Sequence, residues 1–210
     1  FVIATLLLAM SYGWSLQVQG VVSPSLLRNL EDFQDAWCCW PLKRYQKVEI
    51  QVAQEQELDL PKFPAQAISA FSGGLDSCFT AFRHTPLSRR KYIGATYGRQ
   101  LSSCVMIQGF DIPIHQKEMF DRAFLRSQRL TSSLNLNLIP IATNFRQVIK
   151  LNWESVFNLA IASCLHFFKK SHGIGLIPSS IYFTKMTIPS AFDNITDAYV
   201  SSDNFTIVND

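Results

Sequence analysis

The sequence predicts an α/β protein built on a doubly wound parallel sheet, with a small α+β lobe at its amino-terminal end. Two observations carry that expectation. From about residue 66 onward, short apolar runs alternate with longer stretches of helical periodicity, and each run ends in a polar turn; this alternation is what parallel strands joined by crossover helices require. Ahead of it, the texture changes across residues 53–66, AQEQELDLPKFPAQ, where charges mix with two prolines and mark a linker. The expected division is a lobe over 1–60 and a sheet domain over 61–210.

Taken in order, the opening run FVIATLLLAM is ten residues long and has no basic flank, which is too short for a bilayer span and incomplete for a signal peptide. A buried helix is expected there; because the chain starts with Phe1 rather than Met, a processed signal peptide is the competing reading. Leu16-Gln17-Val18-Gln19 and Val48-Glu49-Ile50-Gln51-Val52 alternate apolar and polar residues, as half-buried strands do. Between them, Leu26, Leu27, Leu30, Phe33, Ala36 and Trp37 recur at helical steps behind Ser23-Pro24, a cap followed by proline, so a helix is expected over about 24–38. Beyond the linker, strands are expected at 67–71, 104–107, 138–142 and 175–177, and helices at about 76–84, 116–134 and 153–169. The residues from Ile181 onward read as polar and irregular, closing on a short strand-like Phe205-Thr206-Ile207-Val208.

With 210 residues, 48% of them apolar, the chain can bury a core of ordinary size, which excludes a disordered tail or a fibrous repeat. A formal charge of +3, with only 17% charged residues, does not demand a nucleic-acid partner. The five cysteines, Cys38, Cys39, Cys78, Cys104 and Cys164, contain no CxxC pair and no zinc-type spacing with histidine. They are expected to be buried thiols in a reducing, cytoplasmic setting. His84, His115, His166 and His172 share no ligand spacing and read as surface or core residues.

The segment that carries chemistry is Ile68-Ser69-Ala70-Phe71-Ser72-Gly73-Gly74-Leu75-Asp76-Ser77, a buried strand running through a glycine turn into a helix. Two glycines let the backbone approach an anion, two hydroxyls add donors, and the helix start contributes unpaired N–H groups and a positive dipole end. Neither the GxxxxGK[ST] order nor GxGxxG is present.

SGGLDS at 72–77 resembles the PP-loop, SGGxDS, of the ATP pyrophosphatase superfamily, whose fold is adenine nucleotide alpha-hydrolase-like and Rossmann-like. That superfamily includes asparagine, GMP and NAD synthetases, tRNA thiolases and deazaguanine synthases. The general fold resemblance covers about 66–180, while GFDI at 109–112, TNFR at 143–146 and LIPSS at 176–180 resemble segments of bacterial PP-loop proteins related to asparagine synthase, a resemblance that extends along the whole chain.

The resemblance implies cleavage of ATP between its alpha and beta phosphates. Ser72, Gly73, Gly74, Leu75, Asp76 and Ser77 would hold the pyrophosphate portion, with Mg²⁺ bridging phosphate oxygens and Asp76 as its protein ligand. A small carboxylate or carbonyl would be adenylated and then attacked by ammonia, an amine or a sulfur donor, supplied free or by a partner enzyme. Gly109, Phe110 and Asp111 follow the second strand of the sheet, where this fold places adenosine. Thr143, Asn144, Ser179 and Ser180 follow the third and fourth, and Arg146 is the expected partner of a phosphate or substrate carboxylate and a catalytic residue together with Asp76. Without a CxxC pair, a cysteine cluster or a recognisable glutaminase domain, an amide- or amidine-forming ligase is the leading version.

Each of these residues also has a structural reading. Asp76 and Asp111 are at junctions where aspartate commonly caps a helix, and Arg146 is placed to pair with an acidic neighbour. Cys78, on the first turn of the motif helix, is either a small packing residue or a thiol of lowered pKa. Trp153, Phe157, Leu165, Phe167 and Phe168 read as core, and Arg83, Arg89, Arg90 and Lys91 as a solvated basic cluster. Two other functions stay in view: a nucleotide-sensing module without turnover, and an RNA-modifying enzyme. The oligomeric state is open and leaves room for a homodimer.

Overall fold

The computed structural model describes residues 1–39, 44–86, 88, 98–179, 196 and 198–210. Arg89, Arg90, Lys91 and Ser180, with most of the polar stretch after Ile181, lie outside the described residues.

Helix α1 (Val2–Tyr12) is apolar on nearly every side, and a helix of that kind has to be buried. Its Leu6 and Met10 have no exposed surface. Gly13, in the left-handed region at φ 68°, ends it, and the N–H groups of Gly13 and Trp14 both reach the carbonyl of Ala9. Strand β1 (Leu16–Val22) and β2 (Ile50–Glu55) pair in parallel on either side of α2 (Pro24–Cys39), whose Leu26, Leu30, Phe33 and Trp37 form its buried stripe. The opening residues thus hold a two-stranded sheet of their own, but their apolar side chains join one continuous core with the larger sheet.

That larger sheet has five strands, all parallel, in the order β5-β4-β3-β6-β7: β3 (Phe63–Ala70), β4 (Gln100–Gln108), β5 (Asn137–Ala142), β6 (His172–Ile177) and β7 (Thr206–Asn209). Helices α3 (Leu75–Arg83), α4 (Lys117–Ser133), α5 (Phe145–Val148) and α6 (Trp153–Leu165) connect them. Side chains alternate between faces along a strand, and β4 shows it directly. Cys104 and Met106 enter a cluster with Ala81 of α3 and Phe120 of α4, whereas Val105 enters the opposite core with α6 and α1. Because both faces are covered, the central strands are continuous apolar runs rather than alternating ones.

Three expectations need correction. The linker is shorter than 53–66: β2 continues to Glu55, and β3 already begins at Phe63, where the N–H groups of Lys62 and Phe63 donate to the carbonyls of Lys170 and Ser171. Pro64 is accommodated because the β3–β6 register shifts between Phe63 and Ala67. Helix α6 stops at Leu165, and a 3-10 turn over His166–Phe168 replaces its expected last turn. The strand-like ending expected at 205–208 is present as β7, shifted by one residue to Thr206–Asn209 and paired in parallel with β6 through Gly175 and Ile207. The thiols are also divided: Cys104 and Cys164 are buried, Cys78 is half-buried, and Cys38 and Cys39 are exposed. Among the described residues no helix is long and apolar enough to cross a membrane.

The carboxyl-terminal stretch is fastened from two directions. Asn29 of α2 donates to the carbonyl of Ser201, and the Nε2–H of His166 donates to the carbonyl of Val200 at 2.8 Å. Burial pushes the His166 imidazole down to about 4. Asp210 continues the β6–β7 ladder, its N–H on the carbonyl of Ile177 and its carbonyl on the N–H of Ser179, while its side chain meets His84 Nε2 at 3.0 Å and Arg83 at 3.3 Å. Burial alone would raise this carboxyl, but His84, Arg83 and the Thr80 hydroxyl outweigh it and hold it below the usual carboxylate value.

Two measurements check this packing. Leu6→Ala should cost about 2–5 kcal/mol in urea unfolding, in a single transition because the lobe and the sheet share a core. For His166, the unfolded chain takes up a proton near the ordinary value of 6.5, well before the folded chain does. Stability therefore falls as pH drops from about 6.5 towards 4, on the order of 1 kcal/mol per pH unit for one proton. His166→Gln should flatten that slope in unfolding curves recorded at pH 7, 5.5 and 4.5.

Candidate functional site

Parallel strands deliver all their carboxyl ends to one edge, and a crevice opens where successive connections leave in opposite directions. Here that point lies at β3: the chain leaves it towards β4 and β5, then returns through α6 to β6 on its other side. A cavity of about 500 Å³ occupies the place, walled by the end of β3 and its turn, by β4 and the loop after it, by the first turns of α6, and by Pro178 after β6.

The turn after β3 is held by its own hydroxyls. The Ser77 Oγ–H donates to the carbonyl of Gly74 at 3.0 Å, leaving Ser77 Oγ to accept from the Ser72 N–H and hydroxyl, both at 3.3 Å. Ser72 Oγ in turn accepts from the Gly74 N–H at 3.2 Å. The two hydroxyls therefore shape the loop instead of facing outward as additional donors. Gly73 takes φ 80°, which favours glycine, and the extended Gly74 starts α3 without a side-chain cap. Among the described residues no acceptor meets the N–H groups of Gly73, Leu75, Asp76 or Ser77. Together they form an open cluster of donors at the positive end of a helix.

Asp76 sits exposed in the first turn of α3 and lines the cavity; the capping position belongs to Gly74, so Asp76 is not the cap. Asp111 also lines the cavity and also caps nothing, since α4 begins only at Lys117 behind Gln116. Its turn is rigid. The Gly109 N–H donates to the carbonyl of Ile112, Gln108 Nε2 donates to that of Ile114, and the Thr143 N–H donates to that of Gln108. Gly109 has φ 104°, and a Cβ there would stand 1.9 Å from the Thr143 carbonyl oxygen. Only glycine fits, so GFD is a constrained turn that presents Phe110 and Asp111 to the cavity.

The residues after β5 are placed otherwise. Thr143 Oγ1 accepts from the Phe145 N–H and opens α5, and Asn144 is exposed at the same helix start. Arg146 is not in the cavity wall: its Nη1 donates to the carbonyl of Phe110 at 2.9 Å, and its guanidinium lies 4.6 Å over the Trp153 ring. Ser179 spends its N–H on Asp210, next to Pro178 at the cavity edge. Burial pushes the Cys78 thiol up, and its side chain packs against the Phe71–Cys104 cluster, in keeping with the packing alternative.

Sequence reasoning placed Trp153 and Phe157 in the core, but both line the cavity with Phe110, to which Trp153 is close at 5.1 Å between ring centroids. Glu154, Ile161 and Phe120 were not singled out and line it too. The available signal was Asn152, whose side chain accepts from the Glu154 N–H: a capped helix start directly after the crossover point faces the crevice. Among the described residues no group of three or more His, Cys, Asp and Glu side chains comes together as a metal site, although Asp76, Asp111 and Glu154 all line the cavity. No family model, curated protein or solved structure matches this chain.

The turn's rigidity is testable. Gly109→Ala should destabilise the protein by at least about 2 kcal/mol. Gly20→Ala, where an added Cβ meets nothing within 4 Å, should stay within about 0.5 kcal/mol of wild type in the same urea titration.

Proposed function

We propose that the chain binds ATP with Mg²⁺ in this cavity and cleaves it to AMP and pyrophosphate, adenylating a small carboxylate or carbonyl compound, within an adenine nucleotide alpha-hydrolase-like fold. The observation that carries the reading is the SGGLDS turn itself. Its unbonded N–H groups and the start of α3 point to an anion, at the strand end where parallel α/β proteins bind ligands. The neighbouring aromatic wall of Phe110, Trp153 and Phe157 suits a flat base, with Asp111 at hand for polar groups of the nucleoside.

The carboxylate of Asp76 beside the same helix start would repel a bare polyphosphate. Asp76 would therefore hold Mg²⁺ there, and the absence of a three-ligand group among the described residues agrees with magnesium's usual reliance on few protein carboxylates. When bound, Mg²⁺ supplies neutralisation of phosphate charge. The chain's own part is positioning: the amides of Gly73, Leu75 and Asp76 hold the departing pyrophosphate while an acceptor oxygen approaches the α-phosphorus. As the new oxygen–phosphorus bond forms, the bond to the β-phosphate oxygen breaks and pyrophosphate leaves. Attack on the adenylated carbon by ammonia, an amine or a sulfur donor, supplied free or by a partner enzyme, then releases AMP.

One observation favours a second reading, a module that binds ATP or AMP without turnover. Among the described residues lining the cavity there is no lysine or arginine to meet charge building on the α-phosphate.

Calorimetric titration should show Mg·ATP binding to wild type, and Asp76→Ala should weaken it at least tenfold. Pyrophosphate release in the presence of carboxylate or carbonyl acceptors separates the two readings: the enzyme releases it and the Asp76→Ala variant does not, whereas a sensor binds nucleotide and releases none.

A further inference from the structure

We infer that Arg146 is a positioning residue that sets the nucleoside end of the cavity by locking two of its walls together, and that it does not touch phosphate. This rests on the nucleotide reading above and adds to it the division of labour between the two ends of the site.

The argument starts from what the guanidinium touches. Its central carbon lies over the Trp153 ring, 4.6 Å from the centroid, at the start of α6, while Nη1 donates to the carbonyl of Phe110, in the turn after β4. These two contacts join elements that approach from different parts of the chain. Phe110 and Trp153 both line the cavity, their centroids 5.1 Å apart, and Phe145, next to Arg146, packs edge-on against Phe110. The geometry needs arginine specifically. A planar guanidinium can stack on a ring with its face while donating in its plane to a carbonyl, whereas an ammonium is a point charge that cannot do both in one position.

The phosphate end is built from other parts. The open amides belong to the turn after β3 and the start of α3, whereas among the described residues the hydrogen bond and ring contact of the Arg146 guanidinium go to Phe110 and Trp153. A group that acts on the aromatic wall alone has to affect every ligand carrying the base by the same factor. A group that pairs with phosphate affects only ligands that carry phosphate.

That difference supplies the test. Adenosine, AMP and Mg·ATP are titrated into wild type, Arg146→Lys and Arg146→Ala, and exposure of Trp153 is read by acrylamide quenching as the difference from a Trp153→Phe background. The expected result is a loss of affinity of about tenfold, the same for all three ligands, no rescue by lysine, and greater quenching of Trp153 in both variants. A loss confined to AMP and Mg·ATP, or full rescue by lysine, overturns the inference, because either places the positive charge itself on phosphate. Unchanged Trp153 quenching overturns it as well, since the clamp is then not what holds that wall. If wild type binds none of the three ligands, the nucleotide reading falls and the assigned role falls with it. The quenching result still shows in that case whether the clamp exists, so the two failures are told apart.

Discussion

Parallel pairing of β3 on both of its edges is the constraint on which the rest of the molecule depends. Ser69 is paired with Cys104 on one side and Leu176 on the other, and both faces of the sheet are covered by apolar clusters. A strand so enclosed cannot turn back as a hairpin. It has to leave at its carboxyl end through a short turn into a helix, and the same rule brings β4 and β6 to that edge. The backbone amides at the start of α3, the turn after β4 and Pro178 after β6 meet in one place because the sheet has one polarity.

Polar groups within this framework are mostly committed. The hydroxyls of Ser72 and Ser77 bond inside their turn, Gln108 supports the loop that follows β4, and Arg146 joins that loop to α6. The groups left over are backbone N–H donors and three carboxylates, with aromatic rings beside them. Such a lining combines backbone donors and carboxylates with flat aromatic surface. On the proposed reading it holds a charged, flat-ended ligand in one orientation.

The fold and one half of the site were legible in the sequence for different reasons. Periodicity marks β3 to β6 and α2 to α4 because strands buried on both faces and amphipathic helices leave strong signals, and SGGLDS is readable because glycine and helix-start residues have few other uses in that order. Distance along the chain hid the rest. That Arg146 faces Phe110 and Trp153 depends on where α5 falls in space, and a four-residue helix leaves no periodicity to read. Trp153 and Phe157 have the composition of core residues, and only the position of α6 over the crevice makes them cavity walls. Pro64 argued against a strand that begins at Phe63, and a register shift answered it.

Asp210 has a consequence in time. Its carboxylate meets Arg83 and His84 while its backbone bonds Ile177 and Ser179, so one residue closes contacts with segments distant from it and from each other along the chain. Closing loops of that length is slow, and such contacts form after local ones. Contact order alone thus ranks the docking of β7 among the later events of folding. The cavity walls come from β3 and its turn, β4 and the loop after it, α4, α6 and Pro178 and include no described residue of β7, so they can assemble before the edge strand is in place.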